Sequence, residues 1–137
     1  MLTRVRGRVV SIDLIRGDAV ELTVEEDGGP AKAIAYRGVV GEVAVGDEVL
    51  LNTTAVARNL GTGGYHFVMA NLSRFDPGEI GPGHIVKCRY TPSQQTVLAA
   101  EEEDSPARQA LESATTLVGM PVVIGQLHSQ LAPAAAA

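Results

Sequence analysis

Apolar and polar residues alternate along the first part of the chain. Val10, Ile12 and Leu14 alternate with Ser11 and Asp13, and Val20, Leu22 and Val24 alternate with Glu21 and Thr23. That is the two-residue period of half-buried strands. Arg16-Gly17-Asp18 supplies the turn between them, so the pattern predicts a hairpin pairing Leu14 with Val20 and Ile12 with Leu22. Val5 and Val9 have the opposite parity to Val10, and a β-bulge near Val9-Val10 restores the phase. Glu26 to Pro30 forms the next turn and Lys32 to Tyr36 a third strand. Val45-Gly46-Asp47 then feeds a buried strand ending at Asn52, and Tyr65 to Asn71 is a further strand. Short strands separated by glycine turns predict a small closed or nearly closed barrel over about residues 1–75. Closure removes the exposed edges that such apolar strands would otherwise present.

Residues 76–83, with Pro77, Gly78, Gly81, Pro82 and Gly83, read as a connector. Strands His84 to Tyr90 and Gln94 to Ala100 follow, split by the turn Thr91-Pro92-Ser93. Ser105-Pro106 has the form of a helix start, with serine as N-cap and proline first in the helix, which runs to about Ala114. Pro121 to Gly125 is predicted as a strand, Gln126 to Ser129 as a loop, and the last residues as a helix. Strand, loop, helix is how an α/β sheet opens. The expected fold is mainly β: a small N-terminal β-barrel (1–75) followed by the start of an α/β domain (84–137).

Composition narrows the function. The chain has 137 residues, 45% of them hydrophobic and 20% charged, which is the make-up of a globular protein. Eleven Lys and Arg against sixteen Asp and Glu give a net charge of −5, and only five residues are aromatic (Tyr 3, Phe 2, Trp 0). That balance argues against a general nucleic-acid binder. Cys88 is the single cysteine, so no disulfide forms within the chain. No apolar run approaches a membrane span and the start carries no signal-peptide pattern, so the expected address is cytoplasmic, without a membrane partner. From Ser113 to Ala137 there is no Asp, Glu, Lys or Arg. This uncharged stretch needs polypeptide around it, and the final alanines carry no helix stop signal. The expected partner is therefore the remainder of a longer chain, with self-association as a further expectation.

Several runs together resemble a known family: Gly46-Asp47-Glu48-Val49-Leu50-Leu51-Asn52-Thr53-Thr54, Gly61-Thr62-Gly63-Gly64-Tyr65-His66-Phe67-Val68, Gly83-His84-Ile85-Val86-Lys87, Arg89-Tyr90-Thr91-Pro92, and Leu127-His128-Ser129-Gln130-Leu131-Ala132-Pro133. They are similar to the front of an uncharacterised bacterial family described only as a domain of unknown function. The resemblance extends over essentially the whole chain, departing at Cys88 and Arg58-Asn59. It implies that members continue into a larger α/β region. It implies no activity and no cofactor.

Candidate chemistry is sparse. Gly61, Thr62, Gly63 and Gly64 form the densest glycine cluster, whose backbone N–H groups suit a small anionic ligand. The plainer reading is a tight turn needing positive φ, since the run precedes a strand and lacks phosphate-loop spacing. His66, His84 and His128 could ligate zinc only if they met, and no pair has ligand spacing, so no metal site is expected. On a strand His66 shares a face with Val68 and Ala70. His128 and Ser129 lie between a predicted strand and a helix, where α/β sheets bind ligands, with Ser129 as N-cap in the plainer reading. Arg4, Arg6 and Arg8 make a basic stripe that Glu21, Glu25 and Glu26 on the partner strand are expected to neutralise. Glu101 to Asp104 precedes the helix start, where negative charge favours the dipole. Asn52-Thr53-Thr54 and Asn71-Leu72-Ser73 match the glycosylation pattern without a secretory context.

The leading expectation is a ligand-binding protein or enzyme with its site between the barrel and the α/β part. Gly61 to His66 would stand on one side, His128 and Ser129 on the other. The alternative is a non-catalytic β-barrel module for interaction or self-association.

Overall fold

The computed structural model describes residues 1–117 and 119–136, without the side chain of His128. Two compact units divide the chain, Met1–Ile80 and Gly81–Ala137.

The first unit is a closed five-stranded barrel. Its strands are β1 (Arg4–Arg16), β2 (Ala19–Glu26), β3 (Gly29–Tyr36), β4 (Glu48–Asn52) and β5 (Tyr65–Asn71), in the order β1-β2-β3-β5-β4. Three hairpin-linked strands with the fourth returning beside the first make a Greek key, and β5 closes it. β1 is long enough to serve two neighbours, pairing with β4 from Arg4 to Arg8 and with β2 from Arg8 to Arg16. The register shift between Val9 and Ser11 lies where the parity break predicted a bulge. Val9 is 1% exposed while the extra residue, Val10, is 44% exposed.

A second shift falls between Ile12 and Leu14. Ile12 pairs with Leu22 as predicted, but Leu14 faces Glu21 and Ile15 faces Val20, which corrects the expected Leu14–Val20 pair. The extra residue is Asp13, whose carboxylate accepts hydrogen bonds from Ser11 Oγ (2.6 Å) and Thr23 Oγ1 (2.8 Å). Only the β3–β5 junction is parallel, and it holds three residue pairs: Lys32 with Tyr65, Ala33 with His66 and Ile34 with Phe67.

The interior is filled by Val9, Val20, Leu22, Val24, Ala33, Ala35, Val49, Leu51 and Val68, with Val40 also buried. Each fully buried Val or Leu contributes about 1.5–3 kcal/mol. Gly7 belongs to this inner face: a Cβ there would stand 3.0 Å from Leu51 Cδ1 and 3.4 Å from Val24 Cβ. The barrel is thus a packed core rather than a container. At one end the chain from Tyr36 to Glu48 carries α1 (Arg37–Val40) and a buried carboxylate, Asp47. Asp47 accepts from the Ala44 amide (2.9 Å), Asn71 Nδ2 (2.9 Å) and Arg74 Nε (2.8 Å). At the other end lie the β2–β3 turn and the 53–64 connection, with the short α2 (Thr54–Ala57).

The second unit has a two-stranded antiparallel sheet, β6 (Ile85–Lys87) with β7 (Gln95–Val97), then α3 (Arg108–Ser113), a 3-10 turn (His128–Gln130) and α4 (Leu131–Ala136). These strands are shorter than predicted. Cys88 and Tyr90 take positive φ (49° and 63°), which ends the extended run at Lys87. α3 begins at Arg108 rather than Pro106, because Ser105 closes a turn first: its Oγ accepts from the Ala107 amide and its carbonyl from the Arg108 amide. The strand expected at Pro121 to Gly125 does not form, and those residues pair with no described strand. A strand needs a neighbouring ladder, and Pro121 brings no N–H to one. The protein is mainly β, and its barrel is closed.

Candidate functional site

Alternation along β2 places Val20, Leu22 and Val24 inside, and Glu26, the last residue, follows them. Alternation along β5 places His66 and Val68 inside. These two inward positions bring the only acid–imidazole pair of the barrel together. His66 is 6% exposed, and its Nε2 stands 3.7 Å from Glu26 Oε1, beyond hydrogen-bond length. His66 Nδ1 and Glu26 Oε2 are buried and have no hydrogen-bond partner. Glu26 had been expected to neutralise the arginine stripe, and the structure corrects this: it faces inward, and Glu48 of β4 takes Arg8 Nη2 at 3.1 Å. The signal for Glu26 was present in the sequence as one more step of the alternation Val20-Leu22-Val24.

The glycine cluster lies just before β5, at the same end. Thr62 donates its amide to the Leu60 carbonyl (2.7 Å) and its carbonyl receives the Tyr65 amide (3.3 Å). Gly63 and Gly64 take φ of 64° and 81°, so the run is the tight turn its composition predicts. Thr62 Oγ1 is buried without a partner. Beside Glu26 a depression of about 360 Å³ is lined by Arg6, Gly7, Arg8, Glu25, Glu26, Asp27 and Glu48.

On the outer face of the sheet, Tyr65 Oη donates to Glu21 Oε2 (2.7 Å), and Arg16 Nη2 pairs with Glu21 Oε1 (2.6 Å). The hydrogen bond to Glu21 holds the Tyr65 hydroxyl above its ordinary pKa. Lys32 Nζ stands 5.7 Å from the Tyr65 ring centroid, and Tyr36 stacks on Phe67 at 6.4 Å. These side chains are occupied with one another.

The remaining candidates belong to the second unit. His84 is exposed, with Nδ1 3.5 Å from Glu102 Oε2. Glu102 also accepts the amides of His84 (2.6 Å) and Ala99 (3.1 Å), which hold its carboxyl below the ordinary range. The acidic run therefore has a structural carboxylate that holds the residue just before β6, and the first turn of α3 contains no acidic residue. His128 and Ser129 lie within the 3-10 turn, so Ser129 is inside that turn rather than ahead of the helix. The His128 side chain is outside the described residues. A cleft of about 420 Å³ is lined by Val123, Ile124, Leu127, Leu131 and the polar Gln126 and Gln130, among others. Among the described residues no three His, Cys, Asp or Glu side chains gather into a metal-binding group, and no helix is long and apolar enough to cross a membrane.

Residues 32–137 match the family described as a protein of unknown function (DUF3866). The chain belongs to the DUF3866 family. The match begins inside β3, so β1 and β2 complete the DUF3866 barrel from outside the matched range. His66 and the glycine turn fall within the match, whereas Glu26 precedes it. No curated protein and no solved structure matches this DUF3866 chain significantly.

Proposed function

We propose that this DUF3866 protein is a cytoplasmic ligand-binding protein whose barrel offers a small polar site at the end built from the β2–β3 turn and the 53–64 connection. The observation that carries this reading is His66, buried with Nδ1 unpartnered. An orphaned buried polar group costs about 1–3 kcal/mol. Glu26 Oε2 and Thr62 Oγ1 repeat the pattern. Three unsatisfied polar atoms at one end of the barrel, beside its aliphatic core, fit groups kept for a ligand. Gly61, Gly63 and Gly64 supply close backbone approach beside them. The single cysteine, exposed Cys88, suits the cytoplasmic part of the reading. For the second unit, the reading as the opening of an α/β region with His128 and Ser129 as ligand contacts is part of the same proposal. The exposed apolar residues Leu117, Met120, Val122, Val123, Ile124, Leu127 and Leu131, in a stretch without charged side chains, support it, because such a surface needs cover.

The test is a thermal-shift panel of nucleotides, carboxylates, inorganic phosphate and divalent metal chlorides on the full chain. A ligand at about 100 times its Kd stabilises by about 2.7 kcal/mol, a rise of several degrees. We expect at least one such rise that His66→Gln abolishes. A panel without a hit, or hits that all survive that change, removes the barrel site. The exposed apolar residues Val122, Val123 and Ile124 favour a second reading, an interaction module. It predicts concentration-dependent association in sedimentation and no small-molecule hit.

A further inference from the structure

We infer that the outer face of β2, β3 and β5 is a second binding surface, separate from the barrel end at His66, and that its ligand is an uncharged oligosaccharide.

The aromatic residues are unevenly placed. Three of the chain's five, Tyr36, Tyr65 and Phe67, lie on this one face. Along β3, Lys32, Ile34 and Tyr36 alternate with the inward Ala33 and Ala35; along β5, Tyr65 and Phe67 flank the inward His66. The parallel junction sets Lys32 beside Tyr65 and Ile34 beside Phe67, and β2 adds Thr23 beside Lys32 and Glu21 beside Ile34. Tyr36 is 42% exposed and stacks on Phe67 with the ring planes 11° apart. The polar ends satisfy one another, Tyr65 Oη and Arg16 Nη2 both donating to Glu21. That fixes the rings before any ligand arrives and lowers the ordering cost of binding.

Both borders of the face are tied down. At one, a Cβ on Gly63 would stand 3.6 Å from Tyr65 Cδ2, so the glycine turn packs against that ring. At the other, Asp18 in the β1–β2 turn accepts the Gly38 amide on its carboxylate (2.7 Å) and the Arg37 amide on its carbonyl (3.0 Å). This holds the turn beside the end of β3. Five-stranded Greek-key barrels take up oligonucleotides and oligosaccharides across the face of their second and third strands, between the loops that follow strands one and four. Here those loops are the turn at Gly17-Asp18 and the 53–64 connection.

Charge chooses between the two ligand classes. On the face itself the cations Arg16 and Lys32 are matched by the carboxylates Asp13 and Glu21. A single-stranded nucleic acid needs a basic track for its phosphates, and a face of balanced charge on a chain of net charge −5 provides none. A neutral sugar needs no such track. The electron-rich face of an aromatic ring attracts the C–H bonds of a pyranose, while Glu21, Thr23 and Lys32 offer acceptors and donors to its hydroxyls.

The test is amide NMR of the full chain, titrated in separate samples with cellohexaose, chitohexaose and an oligothymidylate. At least one hexasaccharide should shift the Lys32, Ile34, Tyr36 and Phe67 amides to saturation. Tyr36→Ala, a change at an exposed position, should weaken that binding about three- to tenfold. Phe75→Ala, which removes an exposed aromatic outside the five strands, should leave it unchanged. Shifts with the oligothymidylate and with neither sugar overturn the ligand class. Shifts of the same amides on dilution alone make a second copy of the chain the occupant and overturn the sugar. No response to any of the three, or an unaltered affinity in Tyr36→Ala, overturns the surface itself.

Discussion

Asp47 shows how one residue can be read for its turn and still be missed for its role. Gly46-Asp47 reads as a turn, and it is one, but the carboxylate itself is buried. Burial pushes Asp47 up, yet hydrogen bonds from Arg74, Asn71 and the Ala44 amide outweigh it and hold the carboxyl below its ordinary value. Asp47→Ala would leave the Ala44 amide without its side-chain acceptor and Asn71 Nδ2 with only the Glu42 carbonyl, and should cost about 2–4 kcal/mol in urea unfolding. Arg74 is half exposed, so Arg74→Ala should cost about 1 kcal/mol or less. Because the folded value is the depressed one, the Asp47 contribution is complete above the ordinary carboxylate range. It is lost as pH falls through the lower folded value. Urea midpoints between pH 7 and pH 3 should therefore fall more steeply for the wild type than for Asp47→Asn. Asn71, whose sequence context matched a glycosylation pattern, is instead a hydrogen-bond bridge between Asp47 and the Ser73 and Arg74 amides. The Asp47–Asn71 and Asp47–Arg74 partnerships were not legible in the sequence, because they join residues that only the closed barrel brings together. His66 was legible as an inward residue, but its partner was not picked out.

At the level of elements, β1 carries the most informative irregularity. The parity break at Val9-Val10 was visible because an apolar residue changed phase, and a bulge is the repair that keeps both halves facing the core. Val9→Ser should cost about 2 kcal/mol or more through a buried hydroxyl and a lost methyl contact. Val10→Ser should stay within about 0.5 kcal/mol. Equal costs in a chemical-denaturation comparison would contradict the placement of the bulge. The second bulge, at Asp13, left no hydrophobic trace, since side-chain hydrogen bonds with Ser11 and Thr23 accompany it. The strand forecast for Pro121 to Gly125 failed for a different reason. An apolar run of that length suits a strand only where a partner ladder is present, and periodicity carries no information about partners.

For the whole molecule, the buried aliphatic residues among those described all belong to the first unit, between Val9 and Val68. In the second unit only Ser105 is buried among the described residues, and Ile124 is 92% exposed. Cohesion is therefore concentrated in the barrel. Hydrogen exchange of the full chain should show the slowest amides in β1 to β5 and fast exchange over most of residues 81–136. Protection spread evenly across both units would contradict this division.

The three-rung parallel junction between β3 and β5 bears on how the molecule comes apart. Every other pairing in the barrel is antiparallel, and those within β1, β2 and β3 join neighbours along the chain. The junction of Lys32–Ile34 with Tyr65–Phe67 forms only after the whole intervening segment has been laid down. It is the shortest ladder of the barrel. Once parted, it would bare two raw strand margins at once, each able to recruit the matching margin of another copy. Damage to this short seam would therefore show itself less as simple melting than as chains exchanging their fifth strands.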